Sequence, residues 1–529
     1  MTVIDILLKK RGLTTAKAVA DFFSPVSPEK IGLKQLGIDP KMIAAAIKLI
    51  SGAIKIGRPI YIYGDFDADG ISATAVLWEA LHRLKAKVMP YISPRNESVR
   101  GLSVKGLSSF KAKSLVITVD NGITSFEAAE SAQKAGIDLI ITDHHQPKDN
   151  FPPAAAVVHT TQLAGAGVAW FLANHLRGES SSHLEGETGL DLATIGTIAD
   201  MVPLLGANRS LVKFGLIKLQ TSPRPGLKAL AQAAVIDLAK ITSHQVSFTL
   251  APRLNAMGRL ADSLDALRLL CTTDQKRAES LTIKLNEVNQ LRQDQTLAMF
   301  TDARQKAREK SQLIFVQSPD YHEGLVGLVA GRLVEVFHRP AVVVAIGEKH
   351  IKASMRSLKS FDAIKAIRDL GDLVLERGGH PMAAGFTAEA KNLPKIKTQL
   401  EAAAAKLTAQ DLQPEAAYDC ELSLDQVNWD LFKELEKFQP FGFGNPAPLF
   451  LAKKVKLLSF YPVGQDSKHL KLALQVPNLK SITAIAFGQG QLAAKLKPGQ
   501  LIDIIYSIEQ NSWNNRQSLE LKIKEIKLF

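Results

Sequence analysis

Two spacings of apolar residues alternate along this chain, and the change between them predicts its elements. Short β-branched or aromatic runs such as Ile60–Tyr63 and Leu115–Val119 are typical of strands buried on both faces of a parallel sheet. Apolar residues recur at helical spacing over Ile71–Leu84 and again over Ser125–Ala135. We therefore predict strand–helix repeats from residue 54 to about 205, the pattern of an α/β domain with a parallel sheet.

The same criteria divide the rest of the chain. Neither Gly nor Pro occurs between Ala261 and Ser318, and this stretch predicts one long helix, about Asp274–Lys310, that links two bodies. A smaller α/β unit is predicted next, and short alternating strands after Pro440 predict an OB-like β-barrel. The predicted segments are 1–50 (N-terminal helices), 51–205 (parallel-sheet domain), 206–310 (helices with the connector), 311–405 (second α/β domain) and 406–529 (linker and barrel).

Charge changes this picture mainly at the C-terminus. The 529 residues have a formal net charge of +13, and Leu451–Phe529 contains 11 Lys and 1 Arg against 5 acidic residues. Basic charge combined with Phe487, Tyr506 and Trp513 suits single-stranded nucleic acid, although simple solubility would also explain a basic composition. The sequence also predicts where the protein is located. Its two cysteines are far apart in sequence and form no disulfide framework, and no signal or spanning segment is apparent, so we expect a cytoplasmic protein.

Acidic and imidazole side chains follow three predicted strands and one predicted helix. Because right-handed crossovers bring the carboxyl ends of parallel strands to one edge of a sheet, we expect these side chains to converge. Carboxylates packed together repel one another unless cations neutralise them, so a hard-metal site for phosphate chemistry is the favoured interpretation. The residues concerned are Asp65, Asp67, Asp69, Asp120, Asp143, His144, His145 and Asp200.

Two other interpretations of the first acidic turn stay open. Asp65–Gly70 matches the start of an EF-hand calcium loop, but Val76 stands where the loop needs its bidentate Glu, and a strand is predicted where a helix should precede. The second interpretation is a solvated acidic turn without a metal.

Two segments further along the chain also allow two interpretations each. Arg253 and Arg259 are predicted to lie in a loop, either as solvated charge or as a phosphate clamp. The cluster Gly378-Gly379-His380 suits either close approach to a ligand or a packing turn.

The motifs together resemble a known family. The segments Gly64–Gly70, Val119–Gly122, Asp143–His145 and Ala199–Pro203 resemble the four ordered motifs of the DHH phosphoesterases. Gly378-Gly379-His380 resembles the signature of their accessory DHHA1 domain, which implies that residues 51–205 are the DHH domain and 311–405 the DHHA1 domain. Within the family, the bacterial single-strand-specific exonucleases are similar over nearly the whole chain from residue 55, including Leu163–Ala169, Pro252–Leu260, His322–Gly324 and Phe441–Pro448.

This resemblance implies a two-metal centre that takes Mn²⁺ or Mg²⁺. Asp65, Asp67 and Asp120 would hold one ion; Asp69, Asp120, His144 and Asp200 would hold the other. Asp143 would support this set, and His145 would face the scissile phosphate. The implied activity is 5′-to-3′ degradation of single-stranded DNA to mononucleotides in repair and recombination, with a single-strand-binding protein and a helicase as candidate partners and no membrane. The implied substrate-binding residues are Arg95, Arg253, Asn255, Arg259, Arg356, Ser357, Gly378, Gly379 and His380.

Two departures from the family pattern affect the substrate side. The segment Arg95–Leu102 differs from the usual Arg-x-x-Glu-Gly-Tyr-Gly-Leu, and Met355 replaces a glycine that would let DNA approach, so we expect it to add bulk there. The alternatives in function are an enzyme for short oligonucleotides or cyclic dinucleotides, and a catalytically silent DNA-binding scaffold. The basic barrel disfavours the first, and the intact set of metal-ligating positions disfavours the second.

Overall fold

The computed structural model describes residues 1–95, 101–178, 189–414, 418–477, 479–513 and 516–528. The chain forms two compact units. The first comprises Met1–Ala251, Leu267–Gln275 and Ala417–Phe529, and the second comprises Pro252–Ala266 and Lys276–Ala416. Among the helices in the described ranges, none combines the length and apolar character that crossing a bilayer requires.

The N-terminal part of the first unit is built around a five-stranded parallel sheet. Its strand order is β2-β1-β3-β4-β5, which confirms the predicted parallel α/β domain. The elements are α1 (Val3–Lys10), α2 (Ala16–Phe23), α3 (Pro40–Lys55), β1 (Ile60–Gly64), α4 (Ala68–Arg83), β2 (Val88–Ile92), α5 (Val104–Leu107), β3 (Leu115–Val119), α6 (Phe126–Lys134), β4 (Asp138–Asp143), β5 (Ala156–His159), α7 (Gly165–Gly178), α8 (Leu190–Ala199), α9 (Gly206–Gln220), α10 (Pro225–Ala233) and α11 (Ser243–Gln245).

Burial explains why the sheet has this form. Every residue of β1 and β3 is buried, as continuous apolar strands in a doubly covered parallel sheet should be. Helices α4, α7 and α8 pack against one another beside the sheet. Residues Ala68–Leu77 of α4 are buried, and so is α8 apart from its last residue. Because β1, β3 and β4 are neighbouring parallel strands, their carboxyl ends lie at the same edge of the sheet. The packed helices α4, α7 and α8 lie beside it.

The second unit contains a mixed five-stranded sheet of order β6-β7-β8-β10-β9. The connector helix is present as predicted. The predicted loop around Arg253 is wrong, because this segment is α12; a π-helical turn at Val246–Leu250 directly precedes α12 and accommodates Pro252, which lacks an N–H. The elements between residues 251 and 404, of which Ala251 and Leu267–Gln275 belong to the first unit, are α12 (Ala251–Leu260), α13 (Ser263–Cys271), α14 (Gln275–Lys306), β6 (Ile314–Ser318), α15 (Val326–Phe337), β7 (Ala341–Ile346), β8 (His350–Arg356), α16 (Ala363–Arg368), β9 (Glu376–His380), β10 (Ala383–Glu389) and α17 (Leu393–Ala404).

The C-terminal part of the first unit is a closed barrel, as predicted. The strands follow the order β12-β13-β14-β16-β15, and β15 pairs back with β12, while the short β11 pairs with β12 from outside. The barrel core extends into α1 and α2, because Leu7, Leu8 and Phe22 belong to the same buried cluster. The elements are β11 (Cys420–Glu421), α18 (Trp429–Glu436), β12 (Phe450–Val463), β13 (His469–Val476), β14 (Leu479–Ala486), β15 (Leu501–Trp513) and β16 (Arg516–Leu528).

Candidate metal centre

The turn from β1 into α4 presents the first acids. Asp67 is the N-cap of α4, and its Oδ1 accepts hydrogen bonds from the backbone N–H groups of Asp69 at 3.0 Å and Gly70 at 3.1 Å. One ligand atom each from Asp65, Asp67 and Asp120 lies within 4.8 Å of the others. A strand precedes the turn and a helix begins inside it at Ala68, so the EF-hand interpretation is excluded.

Asp69 is held by the N-terminus of α7. Its Oδ2 accepts from the N–H of Gly165 at 2.7 Å, and its Oδ1 accepts from the N–H of Ala166 at 2.9 Å. A Cβ on Gly165 would come within 2.6 Å of Asp120, so glycine is needed for this approach. Burial and the nearby charge of Asp67 raise the pKa of Asp69 to about 7 despite these two donors.

Asp120 occupies the centre of the cluster at the end of β3. Its backbone is left-handed, with φ +63°, and its side chain is only 3% exposed. A non-glycine residue in this conformation is uncommon and often marks a functional site. The next residue fixes the turn, because Asn121 Nδ2 donates to the carbonyls of Tyr63 at 3.1 Å and Val119 at 2.9 Å. Burial, together with the charges of Asp69 and other acids, holds the pKa of Asp120 well above its usual range.

The end of β4 supplies an acid and two histidines with different roles. Asp143 Oδ1 accepts from the N–H of His144 at 2.7 Å and from Nδ1 of His145 at 2.7 Å, and its Oδ2 accepts from the N–H of Ile123 at 2.9 Å. Burial opposes ionisation of Asp143, but these hydrogen bonds and the charge of His145 lower its pKa overall. Its oxygens are engaged by the protein, so Asp143 orients the histidines.

The two imidazoles differ in charge. Burial and the neighbouring His145 lower the pKa of His144 to about 4, so its ring is neutral and able to bind a metal. Burial also disfavours a charged His145, but the hydrogen bond and negative charge of Asp143 raise its pKa to about 9. The His145 side chain is 49% exposed, so it presents an imidazolium at the mouth of the cluster.

Asp200 completes the cluster from the C-terminal end of α8. Nε2 of His144 lies 3.6 Å from Asp200 Oδ2 and 3.1 Å from Asp120 Oδ1. Ligand atoms of Asp69, His144 and Asp200 lie within 4.8 Å of one another. Burial, followed by the charges of Asp69 and Asp67, raises the pKa of Asp200 to about 9. The structure therefore brings together all the acids and histidines that the sequence predicted to converge.

Divalent cations fit this arrangement. Asp120 Oδ1 and His144 Nε2 are buried and, although 3.1 Å apart, make no hydrogen bond of acceptable geometry to each other or to other groups. Buried polar atoms without partners are costly, and a shared cation would satisfy both. Carboxylate oxygens with one or two imidazoles form a donor set for Mn²⁺ or Mg²⁺, and no thiolate is present in these clusters.

Several residues that shape the site were given no role from the sequence, although Gly165 and Ala166 lie in the segment Leu163–Ala169 that resembles the family. The amides of Gly165 and Ala166 bind Asp69, yet amides have no signature beyond a glycine-containing segment before a helix. His159 Nε2 lies 2.8 Å from the backbone oxygen of His145. His159 ends β5, the fifth strand of the same sheet, and its position at the carboxyl end of a strand was the signal that could have identified it.

Arg95 lies near the acidic turn. Its guanidinium is 5.1 Å from the centre of the Phe66 ring, and Phe66 stands between Asp65 and Asp67 in the chain. The departure from the family pattern that begins at Arg95 falls mainly on residues 96–100, which lie outside the described residues.

The other predicted substrate-binding residues belong to the second unit. On α12, Arg253 Nε donates to Asn286 Oδ1 at 2.7 Å, and Arg259 Nη1 donates to the carbonyl of Gly324 at 2.8 Å; Asn255 lies between them on the same helix. Strand register places Ala383 of β10 opposite both Arg356 on β8 and His380 on β9. Arg356 and His380 therefore lie at the same end of the sheet, on the two strands that flank β10.

The exposed edge of that sheet contains the glycine cluster. All residues of β9, including Gly378 and Gly379, are exposed, so the cluster is an edge strand and not a packing turn. Ser357 follows β8 and is buried, with its Oγ donating to the carbonyl of Phe361 at 2.6 Å. The expectation for Met355 is wrong: its side chain is 0% exposed and packs in the core of the unit, so it adds no bulk to the surface.

The barrel aromatics have unequal access to a ligand. Phe487 is 53% exposed, and the Lys522 ammonium lies 5.7 Å from its ring centre. Tyr506 is fully buried, and its hydroxyl donates to the carbonyl of Leu422 at 2.9 Å, so the expectation that it stacks on bases is wrong. The side chain of Trp513 lies outside the described residues.

Comparison with known proteins adds three family matches and several close relatives. The DHH family N-terminal domain matches residues 59–197, the DHHA1 domain matches 310–406 and the RecJ OB domain matches 418–525. The single-stranded-DNA-specific exonuclease RecJ of Bacillus subtilis is 35% identical over 99% of this chain and 67% of its own length. The same exonuclease from Escherichia coli is 31% identical over 92% of this chain and 90% of its own length. The crystal structure of Thermus thermophilus RecJ with Mn²⁺ matches with a TM-score of 0.83 at 33% identity, covering 99% of this chain and 75% of that one.

Proposed function

Because this chain belongs to the RecJ family of single-stranded-DNA-specific exonucleases, we propose that it degrades single-stranded DNA from the 5′ end to mononucleotides, in DNA repair and recombination. The chain is an enzyme that hydrolyses phosphodiester bonds in single strands. The observation that supports this most directly is the convergence of acids and imidazoles from β1, β3, β4 and α8 at a single sheet edge. A silent scaffold would not need to keep these buried, mutually repelling groups.

Mn²⁺ or Mg²⁺ is the cofactor, as RecJ structures with either ion indicate. Asp65, Asp67 and Asp120 would hold one ion, and Asp69, Asp120, His144 and Asp200 would hold the other, so Asp120 would serve both. Ligand atoms lie within 4.8 Å of one another in the group Asp65, Asp67 and Asp120 and in the group Asp69, His144 and Asp200, which supports this division. When bound, such ions lower the pKa of a coordinated water and neutralise charge that develops on a phosphate.

The protein groups around the ions position the substrate. His145 uses Nδ1 to bind Asp143, which leaves the other side of its charged ring for a phosphate oxygen. Asp143 keeps both histidines oriented and is itself screened from the solvent. Arg95 at the turn, and Arg253, Asn255, Arg259, Arg356, Ser357, Gly378, Gly379 and His380 in the second unit, are proposed to bind the strand.

The barrel is proposed to bind the strand beyond the reacting end. Its excess of cations can follow the phosphates, and exposed Phe487 with its nearby Lys522 can stack on a base. An enzyme for dinucleotides would have no use for such a surface. Salt separates the two functions, because long-strand binding weakens steeply as salt rises, whereas dinucleotide hydrolysis responds only mildly.

The deciding experiment uses single strands labelled at either end. With Mn²⁺ or Mg²⁺ present, we expect a 5′ label to appear at once as mononucleotide while a 3′ label remains on progressively shorter strands. Duplex DNA with blunt ends serves as the control and should resist digestion. Early release of the 3′ label would contradict the proposed polarity, and hydrolysis confined to dinucleotides would favour the alternative substrate class.

A cytoplasmic location and delivery of DNA by a single-strand-binding protein or a helicase are further parts of this proposal. A single-stranded DNA substrate and the free thiols of Cys271 and Cys420 support the location. Co-purification of the intact chain with either class of partner, with and without nuclease treatment, would test for direct contact.

A further inference from the structure

The segment Phe441–Asn445, which leads into the barrel, has no role in the function proposed above. It forms a tight turn in which Gly442 and Asn445 exchange backbone hydrogen bonds at 2.9 and 3.1 Å. Proline residues flank the turn at positions 440 and 446, and two of its five residues are glycine. Its contacts explain this composition.

The turn packs against the chain that follows the metal ligand Asp200. The N–H of Leu204 donates to the carbonyl of Phe443 at 2.8 Å. Gly444 has φ +72°, and a Cβ at this position would lie 2.8 Å from the Cβ of Pro203. The backbone of the turn therefore touches residues three and four positions beyond Asp200.

Buried polar groups hold the turn in place. Asn445 is fully buried; its Nδ2 donates to the carbonyls of Phe438 at 2.7 Å and Pro440 at 2.9 Å, and its Oδ1 accepts from Arg11 Nε at 2.7 Å. Ser243 Oγ donates to the carbonyl of Phe441 at 2.6 Å. Such a satisfied buried network is rigid, so the turn is a firm surface and not a flexible linker.

The other side of the same segment is tied to the metal centre. Asn208 Nδ2 donates to the carbonyl of Pro203 at 3.2 Å and to the carbonyl of Gln162 at 2.9 Å. Gln162 begins the stretch that leads to Gly165, whose N–H binds Asp69. Pro203 thus contacts the turn on one side, and on the other side Asn208 links it to the segment Gln162–Gly165 that binds Asp69.

We propose that the Phe441–Asn445 turn is a positioning element for the metal centre, because it fixes the segment that places Asp200. Groups that hydrogen-bond to metal-ligating side chains commonly change metal affinity about 10- to 100-fold when they are removed, and the turn would act one step further out, through the backbone that follows Asp200. The proposal assigns a role in catalysis to a part of the chain outside the DHH domain. It rests on the two-metal assignment proposed above and does not depend on the polarity or the length of the DNA substrate.

The test compares Gly444→Ala with Gly499→Ala in the full-length protein. Gly499 also has a left-handed backbone, with φ +85°, but a Cβ there would meet nothing within 4 Å. Both variants therefore introduce backbone strain, and only Gly444→Ala pushes on Pro203. Calorimetric titration with MnCl₂ measures metal affinity, and thermal unfolding without metal measures stability.

We expect one Mn²⁺ binding event to weaken about tenfold or more in Gly444→Ala, while the other event matches that of Gly499→Ala. Equal Mn²⁺ affinities in the two variants would overturn the proposal. A uniform loss of both events, with unfolding at a much lower temperature than Gly499→Ala, would also overturn it, since the turn would then only stabilise the fold. If Gly444→Ala does not fold, Gly442→Ala gives the decision, because its Cβ would come within 2.6 Å of the Leu204 side chain. Wild-type digestion of end-labelled DNA tests the proposed function separately.

Discussion

The acidic centre and the basic barrel belong to the same compact unit but use charge in opposite ways. In the centre, Asp69, Asp120 and Asp143 are nearly inaccessible; burial raises the pKa values of Asp69 and Asp120, whereas hydrogen bonds and the charge of His145 lower that of Asp143 despite its burial. On the barrel, cations stand on solvated strand faces, and some pair with acids, as Lys522 does with Glu509 at 3.2 Å. Buried convergent charge can select a small cation, whereas exposed dispersed charge attracts a polyanion and is screened by salt. The centre should therefore respond to loss of a carboxylate and to pH, and the barrel should respond to salt.

The sharpest way to break this comparison is Asp120→Ala. It removes the ligand proposed to be shared by both ions, so we expect cleavage of single-stranded DNA to fall at least about a thousandfold. DNA affinity measured in EDTA should stay within about threefold of wild type, because the exposed cations are unchanged.

The matched control is Asp138→Ala. Asp138 also lies on the DHH sheet, but at the start of β4, where it pairs with the partly buried Arg58 at 2.5 Å. The substitution should leave both cleavage and metal binding close to wild type, because Asp138 stands at the opposite end of β4 from the proposed ligands and Arg58 keeps its bonds to the carbonyls of Lys113 and Ser114. Cleavage by Asp120→Ala at more than about a tenth of the wild-type rate would contradict the shared-ligand assignment.

Salt tests the other region. If about five phosphates are neutralised, affinity for a long single strand should fall about a hundredfold between about 50 and about 200 mM salt. Hydrolysis of a dinucleotide should change by only a fewfold over the same range, because the buried centre is poorly screened. A flat response of long-strand affinity, measured by fluorescence anisotropy, would show that the barrel charge serves solubility alone.

The acidic centre, unlike the barrel, should release protons when it binds metal. With pKa values raised to about 7 and about 9, Asp69 is partly protonated and Asp200 largely protonated at pH 7 in the metal-free protein. A metal needs the carboxylate forms, so binding must release protons, and affinity must increase as pH rises. His144 contributes no proton, because its pKa is lowered to about 4.

We expect release of at least about one proton at pH 7, and an increase in Mn²⁺ affinity of at least about tenfold per pH unit between about pH 6 and 8. Calorimetry in buffers with different ionisation enthalpies measures the proton count. No proton release, with an affinity that does not change over this pH range, would mean that these carboxylates are already ionised in the absence of metal.

The convergence of the acids at one sheet edge could be predicted from the sequence for a physical reason. Continuous apolar runs such as Leu115–Val119 specify buried parallel strands, and right-handed connections then determine which ends share an edge. The positions of Asp120 and His144 at that edge follow without knowledge of any contact. Local pattern and topology therefore account for β1, β3 and β4 and for the convergence of the proposed metal ligands, whereas β2 and β5 were not predicted.

The features that were missed depend on tertiary contact. The amide of Gly165 that binds Asp69 leaves no pattern in the sequence beyond a glycine. Arg253 was predicted to lie in a loop, but the π-helical turn before Pro252 lets the helical path continue through Arg253. Met355 looked obstructive because alternation alone did not show which face of β8 is the core. The first and the third depend on neighbours distant in sequence, whereas the second depends on a local backbone conformation that has no simple sequence pattern.

The smallest expected effect separates two barrel aromatics that look alike in the sequence. Deleting the whole barrel would expose the core that it shares with Leu7 and Phe22, so point variants are the better test. Phe487→Leu should raise the Kd for a long single strand about tenfold, because it removes one stacking platform while Lys522 remains. Tyr506→Phe should leave that Kd unchanged and lower the free energy of unfolding by about 1 kcal/mol, since only its buried hydrogen bond to Leu422 is lost. Anisotropy and urea denaturation measure the two effects. If Tyr506→Phe weakened DNA binding as much as Phe487→Leu did, the aromatic contribution would come from barrel stability, and exposure would not determine which ring contacts a base.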